Sequence, residues 1–294
     1  MKITQILNEG LIKVPKSTLD DTMALVGSDV FSRLFAFVEG HEDAIEYKSF
    51  LKNIMKNFES KWGKFDIFDG HTPDQHGFGK VYIRMSELDS RYIRNPNDKN
   101  KIFTIQVAVG HGKGSNTSAA YYQKSPGKPS RIAIRLPEPQ FLVKHLMQPE
   151  FLDTFFDRIL GVVEHELMHS IQDMGLKTLA GKAGAYYNAD GSLKWDKYFA
   201  SEIEFGPQVV TSFHEFEATL KDHTLQGHKL TANVVKGMMW KFLNPESPPV
   251  PLGDGSKWDE SDAFMSSLYR QDKTKWKKAV KYFYGLFQNS KQKP

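Results

Sequence analysis

From Pro149 to Gly175 apolar residues recur at Phe151, Leu152, Phe155, Phe156, Ile159, Leu160, Val163, Leu167, Met168 and Ile171, and His165, Glu166 and His169 stand inside that run. The spacing predicts one long buried helix, opened by a proline suited to a first helical position and stopped by a glycine. A helix turns once in about 3.6 residues, so His165 and His169 share a face and two imidazoles at that spacing can grip one metal ion. Glu166, next to the first of them, is placed to act as general base on a metal-activated water. Chance alone yields this five-residue pattern in roughly one or two per cent of chains of this composition. The other two His-Glu pairs, His41-Glu42 and His214-Glu215, have no His at the required spacing.

Composition narrows the metal chemistry. The chain has 294 residues and no cysteine, which excludes thiolate sites, disulfides and cysteine nucleophiles and leaves His, Asp and Glu as ligands. One bound Zn2+ is the expected cofactor. With 40% hydrophobic and 25% charged residues the chain reads as a globular protein. The first ten residues lack the apolar core of a secretory signal, so a cytoplasmic protein with no membrane span is expected. The formal charge of +4 is a local matter: residues 271 to 294 hold seven Lys and one Asp, leaving the rest at −2. That tail reads as a solvated face, with weak contact to an anionic partner as the lesser reading.

Along the chain the pattern changes character. An N-terminal helical segment is expected over 1–63: an extended lead-in to Pro15, a helix capped by Ser17, and a second helix after Gly40 with Ile45, Phe50, Leu51, Ile54, Met55 and Phe58 as its apolar positions, fading at Gly63. Residues 64 to 77, with Asp66, Asp69, His71, Asp74 and His76, read as a solvated loop, although a second metal site is conceivable there. Period-two stretches at 81–84, 102–109 and 131–136 predict a mostly antiparallel sheet. Gly110 to Ser115 lacks the spacing of a phosphate-binding loop and reads as a connection between strands. A short helix is expected at 141–147, then the motif helix, a turn near Asn188 to Gly191, and two helices at 195–204 and 208–220 separated by Gly206-Pro207. The main domain is thus placed at 64–246. A Pro-rich linker at 247–255 opens a final segment, 247–294, that ends in an amphipathic basic helix with Trp276, Ala279, Val280, Phe283 and Phe287 on its apolar face.

A working zinc site keeps three protein ligands and one open position, so a third ligand must come from elsewhere in the chain. Candidates are Glu202, Glu204, and the group His214, Glu215 and Glu217. Ser201 and Glu204 also fit a capping box, a purely structural role.

His-Glu-x-x-His followed some tens of residues later by a helix-borne Glu resembles the gluzincin branch of zincin metallopeptidases. More narrowly, residues 130–220, with Tyr198, Ser201 and Glu202-Ile203-Glu204 after the motif, resemble small uncharacterised zincin-like proteins, several of them phage-encoded. The resemblance implies an α+β zincin-like fold, with the sheet packed on the motif helix and a glutamate helix behind it, and it implies Glu202 as third ligand. Phe205, where a small residue is usual, and Gly206-Pro207 depart from that pattern. It further implies a zinc-dependent peptidase acting on protein or peptide, with Tyr198 available to stabilise an oxyanion and Asp173 to orient His169. A catalytically silent zincin-fold protein with a structural or interaction role, for example a virion component, is the alternative.

Overall fold

The computed structural model describes residues 12–40, 42–66, 77–88, 99–111, 117–122, 130–143, 149–175, 198–199 and 201–290. The fold is α+β, with two compact units, one within Lys13–Leu176 and one in the chain from Lys177 onward.

The first unit is built on a four-stranded mixed sheet: β1 (Gly77–Arg84), β2 (Ile102–His111), β3 (Ser118–Tyr122) and β4 (Ser130–Leu136), in the order β1-β2-β4-β3. The outer pairs are antiparallel, but β2 and β4 run parallel, in register Val107↔Ile132 and Val109↔Ile134. The expectation of a mostly antiparallel sheet therefore needs a parallel ladder at its centre. β3 is the reason. It carries the chain back along the edge before β4 enters the middle, and its Ser-Ala-Ala start has little of the β-branched character that marks a strand. Alternation does the rest: Val81, Ile83, Ile105, Val107, Ile132, Ile134 and Leu136 are buried, whereas Tyr82 and Arg84 point outward. Each such aliphatic burial contributes about 1.5–3 kcal/mol, as an upper bound.

Helix α1 (Lys16–Val38) buries Met23, Val26, Val30, Phe31, Leu34 and Val38, and α2 (Ala44–Trp62) buries Leu51, Ile54 and Phe58. The two approach so closely at Gly27 that a methyl group there would overlap the Phe58 ring. Two expectations are corrected here. The helix begins at Lys16 after Pro15, so Ser17 already lies in its first turn and is not the cap, and its hydroxyl donates to Glu87. Ile45, expected on the apolar face of α2, is 88% exposed, whereas Leu51 and Ile54 further along the helix are buried. The end of α2 is as expected: Gly63, at φ 95°, donates its N–H to the Glu59 carbonyl. The Thr18 hydroxyl fastens α1 to the sheet by donating to the Tyr82 carbonyl at 2.9 Å. At the end of β2, His111 meets the buried Asp29 carboxylate at 3.1 Å, which Arg33 also contacts at 3.1 Å. A buried carboxylate would otherwise be costly. After α3 (Pro139–Val143) comes α4 (Pro149–Gly175), whose Phe155, Phe156, Ile159, Leu160, Val163, Leu167, Met168 and Ile171 are all buried.

The second unit contains α5 (Glu202–Leu225), α6 (Ala232–Leu243), the short ladder of β5 (Val250–Pro251) with β6 (Lys257–Trp258), α7 (Ala263–Gln271) and α8 (Lys273–Ser290). Its core is aromatic, with Phe213, Phe216, Phe242, Trp258 and Phe283 linked ring to ring and Phe264 meeting Phe205. The stretch 247–255 places Val250 and Leu252 in that core, and α8 docks there through Ala279, Phe283 and Phe287. The break expected at Gly206-Pro207 does not occur: α5 runs through it. Proline forfeits one intrahelical hydrogen bond, and burial of Phe205, Val209, Val210, Phe213 and Phe216 along the same helix outweighs that loss. Among the described residues no helix is long and apolar enough to cross a membrane.

Candidate metal centre

Local sequence explains why α4 can present polar groups inside a hydrophobic surrounding. Leu167, Met168 and Ile171 fill the core while His165, Glu166 and His169 take the neighbouring face, and all three are buried, at 7%, 8% and 6% exposure. One helical turn brings the two Nε2 atoms to 3.0 Å, with ring centroids 4.8 Å apart and planes at 73°. The Nδ1–H of His169 donates to Gln172 Oε1 at 2.9 Å. That bond fixes the tautomer, leaving Nε2 as the lone-pair nitrogen aimed at His165. Beneath them the Ser170 hydroxyl donates to the Glu166 carbonyl at 3.1 Å, a within-helix bond that uses up a buried polar group.

Glu204 completes the set. One ligand atom from each of His165, His169 and Glu204 lies within 4.8 Å of the others, and all three residues are buried. Among the described residues this is the one group of three His, Asp or Glu side chains close enough to share an ion. The ligand expected from the resemblance, Glu202, is the first residue of α5, and its side chain lies outside the described residues. The reason Glu204 is open to a different reading is also visible: Ser201 caps α5, its hydroxyl oxygen accepting from the Glu204 N–H at 3.2 Å, so Glu204 occupies the third position of a capping box. The backbone serves the cap, and the carboxylate is placed with the imidazoles.

The donor set fits zinc. Two imidazole nitrogens and one carboxylate oxygen, with no sulfur, are the ligands of a familiar class of hydrolytic zinc site. Tetrahedral bonds of about 2.0–2.1 Å hold two nitrogens roughly 3.3 Å apart, close to the spacing seen here. Such a set supports metal-assisted hydrolysis, provided a base is at hand, and Glu166 adjoins the first ligand on the same helix.

The remaining expectations divide. His214 pairs with Glu217 at 4.0 Å. Tyr198 is half-buried with its ring against Phe199, centroids 5.7 Å apart. The side chain of Asp173 lies outside the described residues, as do residues 67–76 with Asp69, His71, Asp74 and His76, and the turn at 188–191. The acceptor on His169 is Gln172, which sequence reasoning passes over for Asp173. The signal is there in the spacing, since a polar residue three positions after a ligand His lies on its own face. No family model, curated protein or solved structure matches the chain.

Proposed function

We propose that this chain is a zinc-dependent peptidase of the zincin kind, holding one ion through His165, His169 and Glu204 and using Glu166 as general base. The reading is supported above all by the convergence of two helix-borne Nε2 atoms and a buried carboxylate, with the motif glutamate alongside. A bound zinc ion supplies Lewis acidity, bringing the pKa of a coordinated water towards about 7 and polarising a carbonyl. The chain's own part is proton handling and orientation. Glu166 takes the proton of the attacking water at its carboxylate and returns it to the departing amine nitrogen. His169 is held to one tautomer by Gln172, so its lone pair stays aimed into the site through the cycle. Burial strengthens both effects, since charge acts further where water is excluded.

Glu166→Gln is the test. It preserves size and hydrogen-bonding capacity but removes the base, so zinc measured by elemental analysis stays near one per chain while peptide hydrolysis falls by roughly 10²–10⁴. Cleavage at the parent rate by this variant would refute the assignment of the base. Stoichiometric zinc with no hydrolysis of any peptide library by the parent chain would favour the silent, structural reading of the same site.

A further inference from the structure

The peptidase reading uses nothing of the basic C-terminal helix. On α8, Lys273, Lys277 and Lys281 fall at positions i, i+4 and i+8, a single stripe with about 6 Å of axial rise between successive residues. All three are exposed, and no ion pair to them occurs among the described residues. Like charges at that spacing destabilise a helix, so the stripe carries a cost in the free protein that an anionic partner would relieve. The opposite, apolar face of α8 is already used up in the core through Ala279, Phe283 and Phe287. Only the charged face is open.

Beside the stripe lies a run of three aromatic rings from three helices. Trp240 of α6 meets Trp276 of α8 edge-on at 6.2 Å, and Trp276 meets Tyr269 of α7 at 5.1 Å. The Trp276 Nε1–H donates to the Leu243 carbonyl at 2.8 Å, which anchors the middle ring. The ammonium of Lys273 sits over the Tyr269 ring, 2.9 Å from its centroid. Trp240 is 42% exposed, so its ring is open to solvent.

From these two features together we infer that α8 and the Trp240–Trp276–Tyr269 run form a binding surface for single-stranded nucleic acid. Unneutralised lysines at regular spacing attract successive phosphates, and the exposed Trp240 ring, with Trp276 and Tyr269 partly exposed beyond it, offers a face on which an unpaired base stacks without regard to sequence. An anionic bilayer would share the charge term but not the rings: binding there draws on an apolar helix face sunk into the acyl boundary, and the apolar face of α8 is buried.

The experiment is fluorescence anisotropy of a labelled twenty-nucleotide oligothymidylate titrated with the full chain. Three phosphate contacts predict that log K falls against log salt with a slope of about −2. Trp240→Ala should weaken binding roughly five- to a hundredfold, as loss of one stacked base does. Lys277→Glu should weaken it at least tenfold and flatten the salt slope, and because it turns the like-charge pairs with Lys273 and Lys281 into opposite-charge ones it should leave the melting temperature unchanged or higher. A duplex of the same length should bind more weakly, its bases being already stacked. Unaltered affinity in Trp240→Ala, or vesicles of phosphatidylserine and phosphatidylcholine bound as tightly as the single strand, would overturn the inference and leave a charge-only surface.

Discussion

Among the described residues two imidazoles come together twice, by different devices. On α4 the pair is His165 and His169, one turn apart on a buried helix face, with Nε2 atoms at 3.0 Å. At the end of α5 the pair is His223 and His228, five residues apart, with ring centroids at 5.1 Å. There a helix stop does the work: Gly227, at φ 85°, donates its N–H to the Thr224 carbonyl, and the His228 N–H donates to the His223 carbonyl. Those two bonds form a Schellman motif, which ordinarily packs apolar residues at the two positions taken here by imidazoles. The surroundings of the two pairs are unlike. His169 is turned by Gln172 so that its Nε2 faces its partner and a buried carboxylate, whereas His228 spends its Nδ1 on Asp254 at 3.1 Å and no third ligand among the described residues closes the set. Proximity of rings is therefore not a site; the ligand count and the direction of the lone pairs decide.

The sharpest way to break that comparison is to remove one ring from each pair. His169→Ala should abolish near-stoichiometric zinc and with it hydrolysis, while His223→Ala leaves both at the parent level. Zinc content and peptide turnover, measured side by side on protein purified without chelator, check this. Loss of zinc in the second variant would show that the α5 pair binds metal after all.

Next in size is the third ligand. Glu204→Gln keeps the Ser201 cap, which uses the backbone N–H, but replaces an anionic oxygen by a neutral amide. Zinc affinity should fall by more than the roughly 10–100-fold that loss of an outer partner costs, and Glu202→Gln should change it little. Competition against a chelator of known affinity reads both. The reverse ranking would restore the register implied by the resemblance.

A smaller effect is expected of Gln172→Ala. The ligands all remain, but His169 loses the acceptor that fixes its tautomer, so zinc affinity should drop about 10–100-fold with the melting temperature of the zinc-free chain little changed. An affinity equal to the parent's would mean that packing alone orients the ring.

How much of this is legible in the sequence depends on how local its cause is. The motif helix is legible because its apolar period, its proline start and its glycine stop all act within one element, and Phe155, Ile159, Val163 and Leu167 sit where that period puts them. β3 is not, because Ala119 and Ala120 carry almost no strand signal and the parallel β2–β4 ladder depends on that one strand. The helix through Pro207 is hidden for the opposite reason: the local rule points to a break, and the burial of Phe205, Val209 and Phe213, a non-local cause, overrides it. The third ligand stands between these cases. Sequence leaves Glu202, Glu204 and the group His214, Glu215 and Glu217, all on α5, and choosing among them needs the start of the helix, which Ser201 sets, and the direction from which it meets the imidazoles.

The smallest expected effect concerns the His223–His228 pair. Burial lowers the pKa of His223 below the ordinary 6.5, and the neighbouring His228 lowers it further, while Glu260 and Asp222 act in the raising direction. A neutral ring is thus favoured in the folded chain. Its contribution to stability is whole above pH 6.5 and is lost as the pH falls through the lower folded value, because the unfolded chain then takes up the proton first. His223→Phe keeps an aromatic ring at a position where the Schellman motif ordinarily holds an apolar residue, and it carries no proton. Relative to the parent, its melting temperature should therefore be higher by roughly 1–2 °C at about pH 5.5 than the same comparison gives at about pH 8, a small shift because His223 is only partly buried. The α4 pair should also lose stability in acid, but only when zinc is present, since protons and metal compete for the same lone pairs and acid releases the ion. Calorimetry at the two pH values, with and without zinc, separates the pairs; an offset that is the same at both would show that His223 does not titrate against folding.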